Sequence, residues 1–144
     1  MPSADSIALI PHSTPQETWD ALRSNPAARL VDVRTQPEWT YVGVPDLSDT
    51  GNPIILLSWL VYPTNARNEA FASQLAAQGI TPDTPLYLIC RSGVRSLAAA
   101  EHLATLGYQS CVNVQDGFEG PADEQRHRGR IAGWKASNLP WIQG

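Results

Sequence analysis

Four short apolar runs punctuate this chain, and their spacing constrains its fold more than any other feature: 29–33 (RLVDV), 54–62 (IILLSWLVY), 86–90 (LYLIC) and 110–114 (SCVNV). Runs of this length, rich in branched residues and bounded by Pro, Gly and Asn, read as buried strands. Helix-forming segments stand between them. Thr14-Pro15-Gln16-Glu17 supplies an N-cap, a first-turn proline and a returning carboxylate. A helix should therefore run to about Ser24, with Trp19 and Leu22 on one side and Asn25-Pro26 ending it. Pro37-Glu38-Trp39 opens a single helical turn, and Gly43, Pro45, Asp46, Asp49, Gly51 and Pro53 mark a loop. Residues 65–78 place Phe71 and Leu75 four apart before Gly79, and 97–106 is Ala-rich up to Gly107. Strands that alternate with helices need crossover connections. That predicts an α/β fold, a mainly parallel central sheet with helices on both faces.

At 144 residues the chain has the length of one domain, read as 1–144 with a lead at 1–13 and a polar, Gly-rich tail from about 121 to 144 packed back onto it. A fold of this size buries roughly 68–70% of its unfolded surface and needs no disulfide or structural metal. The stretch from Met1 to Pro15 lacks a basic start and carries Asp5, and the apolar run 54–62 is far shorter than the ~20 residues of a membrane span. A cytoplasmic protein with no membrane partner is expected, with Cys90 and Cys111 both kept as thiols. The net charge of −4 excludes a dedicated nucleic-acid binder, which concentrates positive charge. Yet nine of the ten basic residues are Arg, the side chain suited to forked recognition of small oxyanions. His12, His102 and His127 have no ligand spacing, so no metal is assigned.

The strongest chemical signal is Cys90, at the carboxyl end of a predicted strand and ahead of a loop with two Arg, a Gly and then a helix. Ligands of open α/β sheets bind at such strand ends, and a loop entering a helix turns its amides toward an anion. A reference thiol with a pKa of about 8.5 is only a few per cent thiolate at pH 7. A helix terminus contributes about 0.3–1 kcal/mol, less than the ~1.36 kcal/mol of one pKa unit. The loop amides and the charges of Arg91 and Arg95 are therefore expected to add to it, with Gly93 allowing a positive φ in the turn. Asp32 and Arg34 end the first strand and read as an ion pair that ties its loop to the sheet. Cys111, inside a strand, reads as an inert buried thiol. Trp59 and Tyr62 either wall the pocket or pack the core. The run Arg126, His127, Arg128, Arg130 reads as a solvated tail, with docking of an acidic partner as the functional option.

The segment Cys90-Arg91-Ser92-Gly93-Val94-Arg95 resembles the six-residue active-site loop of the rhodanese family of single-domain sulfurtransferases. Leu30-Val31-Asp32-Val33-Arg34 with Pro37-Glu38-Trp39 is similar to that family's N-terminal signature. Gly117-Phe118-Glu119-Gly120, Gly133-Trp134 and Asn138-Leu139-Pro140 are similar to its C-terminal one. The chain departs from the pattern at Val42-Gly43-Val44-Pro45-Asp46, where the family usually carries Gly-His-Ile-Pro-Gly. The resemblance implies that Cys90 takes a sulfane sulfur from thiosulfate or another persulfide donor, then passes it to cyanide, a thiol or a protein acceptor. It further implies that Arg91, Ser92, Gly93, Val94 and Arg95 bind the anion, with no cofactor and no metal. A relay module loaded by and delivering to protein partners is one alternative. A cysteine phosphatase is another, although its loop has five residues between Cys and Arg where this one has four, a smaller ring of donors.

Overall fold

The computed structural model describes residues 10–143. Residues 1–9, most of the expected lead at 1–13 and of the stretch Met1 to Pro15, lie outside the described residues. The capping box forms as the sequence specifies. Glu17 N–H donates to Thr14 Oγ1 at 3.1 Å and Thr14 N–H donates to the Glu17 carboxylate at 2.9 Å, which starts α1 (Pro15–Ser24). Trp19 and Leu22 occupy its buried side. The sheet contains β1 (His12–Ser13), β2 (Arg29–Asp32), β4 (Ile55–Leu56), β7 (Leu86–Ile89) and β8 (Cys111–Val114) in the order β1-β8-β7-β2-β4. Every pairing in it is parallel.

Alternation along the central strands divides the core into two layers. Val31, Leu88 and Cys90 face a cluster with Ile55, Trp59, Phe71, Leu75, Ala99, Ala100 and Leu103. Leu30 and Ile89 face the opposite cluster with Trp19, Leu22, Val114, Phe118, Trp134 and Leu139. The first layer is covered by α3 (Phe71–Ala77) and α4 (Val94–Thr105), which bury Phe71, Leu75, Ala99, Ala100 and Leu103. The second is covered by α1 and the C-terminal segment. Trp134, fully buried there, donates its indole N–H to Pro140 O at 2.7 Å. The chain then ends in β9 (Trp141–Ile142), antiparallel to β3 (Val44–Pro45).

The structure corrects two boundaries. The apolar run 54–62 is not one strand: Ile55–Leu56 joins the sheet, whereas β5 (Leu60–Val61) pairs antiparallel with β6 (Ala66–Arg67) in a separate hairpin. The helix expected over 65–78 is correspondingly short and starts at Phe71. Asn68 accepts the Ala70 N–H on its side-chain oxygen at 3.1 Å, and Phe71 N–H bonds Asn68 O at 3.1 Å. That local turn competes with helix and delays its start. β1 has no apolar signature and exists because β8 offers it an edge, His12 lying opposite Asn113. The single turn expected at Pro37 is α2 (Gln36–Tyr41).

Candidate active site

Cys90 follows the last residue of β7, and α4 begins four residues later. Gly93 occupies the N-cap position at φ 108°, a left-handed conformation that favours glycine. This turn brings the Gly93 N–H to 3.1 Å from Cys90 Sγ, and the first turn of α4 brings Ser96 Oγ to 3.2 Å from the same sulfur. The far side of the loop is held by the segment after β8. Phe118 N–H donates to Cys90 O at 2.8 Å, and the Glu119 and Gly120 N–H groups donate to Arg91 O at 2.9 and 3.1 Å. In a trans peptide the N–H points opposite the carbonyl, so tying down these two carbonyls aims the Arg91 and Ser92 amides away from the buttress. Gly117 makes this contact possible. At φ 61°, a Cβ there would overlap Cys90 O and stand 2.7 Å from the Arg91 carbonyl.

Arg95 points back across the loop to Glu38 on α2, with Nη1 donating to Oε1 at 2.7 Å and Nη2 to Oε2 at 2.9 Å. Glu38 also accepts from the Thr35 N–H at 3.1 Å and the Thr35 hydroxyl at 3.0 Å. Burial alone would raise its pKa, but the Arg95 pair and the Thr35 bonds outweigh it and hold the carboxyl at about 2. The Glu38 bond in turn raises Arg95, against the opposing effect of burial, and the nearby Cys90 and Asp32 act in the same direction. Arg95 is therefore paired with Glu38 while its charge also interacts with Cys90. Arg91 is exposed. Both Arg line a cavity of about 260 Å³ with Thr35, Glu38, Leu60, Tyr62 and Asn65. Ser92 is half-buried in the loop, while Val94, 76% exposed, faces solvent at its edge. A larger groove of about 420 Å³, between Val44 and Ile142, holds neither a cysteine nor a cationic side chain among its lining residues.

Asp32 and Arg34 are fully buried together, with Arg34 Nη2 donating to Asp32 Oδ2 at 2.6 Å and to Gly43 O at 2.8 Å. The guanidinium also lies over the Phe118 ring, 4.3 Å from its centroid. Both stand behind the site, joining β2 to the loop before β3 and to the buttress segment. Cys111 pairs in register with Leu86, four residues before Cys90. That places the two thiols about 13 Å apart along the strand direction, and burial pushes the Cys111 pKa up to about 11. Trp59 is buried and T-stacked on Phe71 at 5.3 Å, whereas Tyr62, 60% exposed, lines the cavity. In the basic run, Arg128 donates to Gly120 O at 2.7 Å and Arg130 meets Asp123 at 3.8 Å, so part of it is tied into the fold. No group of His, Cys, Asp and Glu that could hold a metal ion occurs among the described residues. None of their helices is long and apolar enough to cross a membrane. Sequence reasoning assigned no site role to Glu38, Ser96, Asn113 or the amides of Phe118, Glu119 and Gly120. The one available signal was that Glu38 and Gly117–Gly120 fall in family-like motifs.

The STR4 middle domain family matches residues 12–144. An uncharacterized protein of Rickettsia conorii is 40% identical over 126 residues, which is 87% of this chain and 91% of that protein. The crystal structure of Rv0390 from M. tuberculosis is 43% identical and superposes with a TM-score of 0.84, covering 92% of this chain and 97% of that one. Rhodanese-like domain-containing protein 4, chloroplastic, of Arabidopsis thaliana is 27% identical over 129 residues, 89% of this chain and 25% of that protein.

Proposed function

Since the chain belongs to the rhodanese family, we propose that it is a sulfurtransferase in which Cys90 is the nucleophile and the carrier of a persulfide. The observation that carries this is the placement of Cys90 Sγ. It sits at the strand end, bonded by the Gly93 amide at 3.1 Å, inside a Cys-to-Arg loop whose carbonyls are turned outward. The thiolate attacks the outer sulfur of thiosulfate, the S–S bond of the donor breaks with its electron pair, and sulfite leaves as the dianion. A new S–S bond remains on Cys90 as the persulfide anion. Cyanide or a thiolate then attacks the outer sulfur and the Cys90 thiolate returns. Arg91 and the loop amides, with Ser92, Gly93, Val94 and Arg95, hold the departing sulfite. The same reading includes a cytoplasmic location, small anionic donors and no cofactor.

The experiment is incubation with thiosulfate followed by intact-mass measurement. Wild type should gain one sulfur, removable by a reductant, and Cys90→Ser should gain none. An unmodified wild type, or equal addition to the variant, would falsify the assignment. Exposed Val94 (76%), Tyr41 (75%) and Tyr62 (60%), the last in the cavity wall, support the relay reading, in which a protein delivers or receives the sulfur. Turnover with thiosulfate and cyanide, compared with transfer from a protein persulfide, separates the two.

A further inference from the structure

We propose that Ser96, Asn113 and His12 form a two-state hydrogen-bond chain that gives a proton donor to Cys90 Sγ when the sulfur is charged and withdraws it when the sulfur is neutral. This rests on Cys90 being the reacting group. Ser96 touches the reacting atom, and Asn113 and His12 are positioning residues. Ser96 Oγ lies 3.2 Å from Cys90 Sγ and 2.5 Å from Asn113 Oδ1. Asn113 Nδ2 lies 3.2 Å from both Gly93 O and His12 Nδ1. Three separate elements, α4, β8 and β1, are needed to line these groups up. Ser96 is fully buried and Asn113 is 3% exposed, so water does not compete at the inner links.

The hydroxyl carries one hydrogen and faces two acceptors. While Cys90 is a neutral thiol, its S–H satisfies Ser96 Oγ, and the hydroxyl hydrogen goes to Asn113 Oδ1. The amide then donates to Gly93 O and to the lone pair of His12 Nδ1. When Cys90 is a thiolate, the sulfur takes the hydroxyl hydrogen. Ser96 Oγ and Asn113 Oδ1 are then left facing each other, lone pair to lone pair, at 2.5 Å. Turning the amide over relieves this, because Oδ1 and Nδ2 occupy nearly the same space and exchange without moving the backbone. Oδ1 now faces His12, which must present an N–H at Nδ1, either as the other tautomer or as the imidazolium. Oδ1 then also lies 3.2 Å from Gly93 O, a weaker acceptor–acceptor contact than the 2.5 Å one it replaces, while Gly93 O keeps the Leu97 N–H at 3.3 Å. A proton on His12 Nδ1 thus favours the charged sulfur without touching it.

The charges near the thiol are Arg95 of α4, matched by Glu38 of α2, with Asp32 of β2 beyond, while Arg91 stands exposed on the loop. Among the described residues none of these four bonds to Ser96, Asn113 or His12, and the His12 ring bonds only to Asn113, so the chain acts separately from that field.

The test is the rate of Cys90 alkylation by iodoacetamide from pH 5 to 10 in a Cys111→Ala background, which reports thiolate without requiring sulfur transfer. Ser96→Ala should slow alkylation at pH 7 by about tenfold and move the profile up by about one pH unit, the loss of a hydrogen bond to a charged group. Ser96→Thr should restore most of the rate. His12→Ala should slow alkylation severalfold with Ser96 present and have no further effect in Ser96→Ala. An unchanged profile in Ser96→Ala, or an equal His12→Ala effect with and without Ser96, overturns the chain. Thiosulfate loading is measured by mass on the same proteins. Absent loading in wild type with the alkylation pattern intact sinks the sulfurtransferase reading alone, and normal loading with no coupling sinks the chain alone.

Discussion

Replacing Glu38 by Gln keeps the shape of the side chain that holds Arg95 and removes its charge. The folded protein holds the Glu38 carboxyl at about 2, against an ordinary 4.5, mainly because Arg95 and Thr35 outweigh the cost of burial. At full strength that difference corresponds to about 3 kcal/mol. The two side chains keep 22% and 20% of their surface exposed, so solvent screening reduces it to about 1–2 kcal/mol, or about 3–6 °C in melting temperature. A depressed folded-state pKa fixes the sign: the stabilisation is fully present above about 4.5 and is lost as pH falls through about 2. Urea unfolding at pH 7, 4 and 2 should therefore show Glu38→Gln less stable at pH 7, with the gap from wild type closing by pH 2. A gap of the same size at pH 2 and pH 7 would show that Glu38 contributes shape and not charge, and would refute the ion-pair origin.

Gly117→Ala should lose about 2–4 kcal/mol in urea unfolding, since it combines a left-handed φ with a Cβ driven into the loop carbonyls; a loss under 1 kcal/mol would mean that the buttress yields easily. Cys111→Ala should load one sulfur from thiosulfate at the wild-type rate and hold it as long as wild type does, because the second thiol is buried, kept protonated and remote along the strand; a variant that retains the persulfide markedly longer than wild type would give Cys111 a resolving role.

What was legible in the sequence was whatever is contiguous in it. Thr14 and Glu17 are three residues apart and close their capping box wherever the helix packs. Cys90 to Arg95 is one uninterrupted stretch of sequence, so the thiol, the glycine and the helix start could be read together. The run 54–62 could not be resolved, because the same apolar residues suit a long strand or a strand followed by a hairpin, and only pairing with Ala66–Arg67 decides. His12–Ser13 carries no periodicity at all and becomes a strand through the edge of β8.

The chain's own chemistry thus determined the alternating α/β architecture and the cysteine at a strand end, since hydrophobic period, turn residues and caps act between near neighbours. The tertiary structure decided what surrounds that thiol. Arg95 meets Glu38 across 57 residues, Ser96 meets Asn113 across 17, and Asn113 meets His12 across 101. Coulomb forces and hydrogen bonds operate over ångströms in space, and the sheet order β1-β8-β7-β2-β4 sets those distances independently of spacing along the chain.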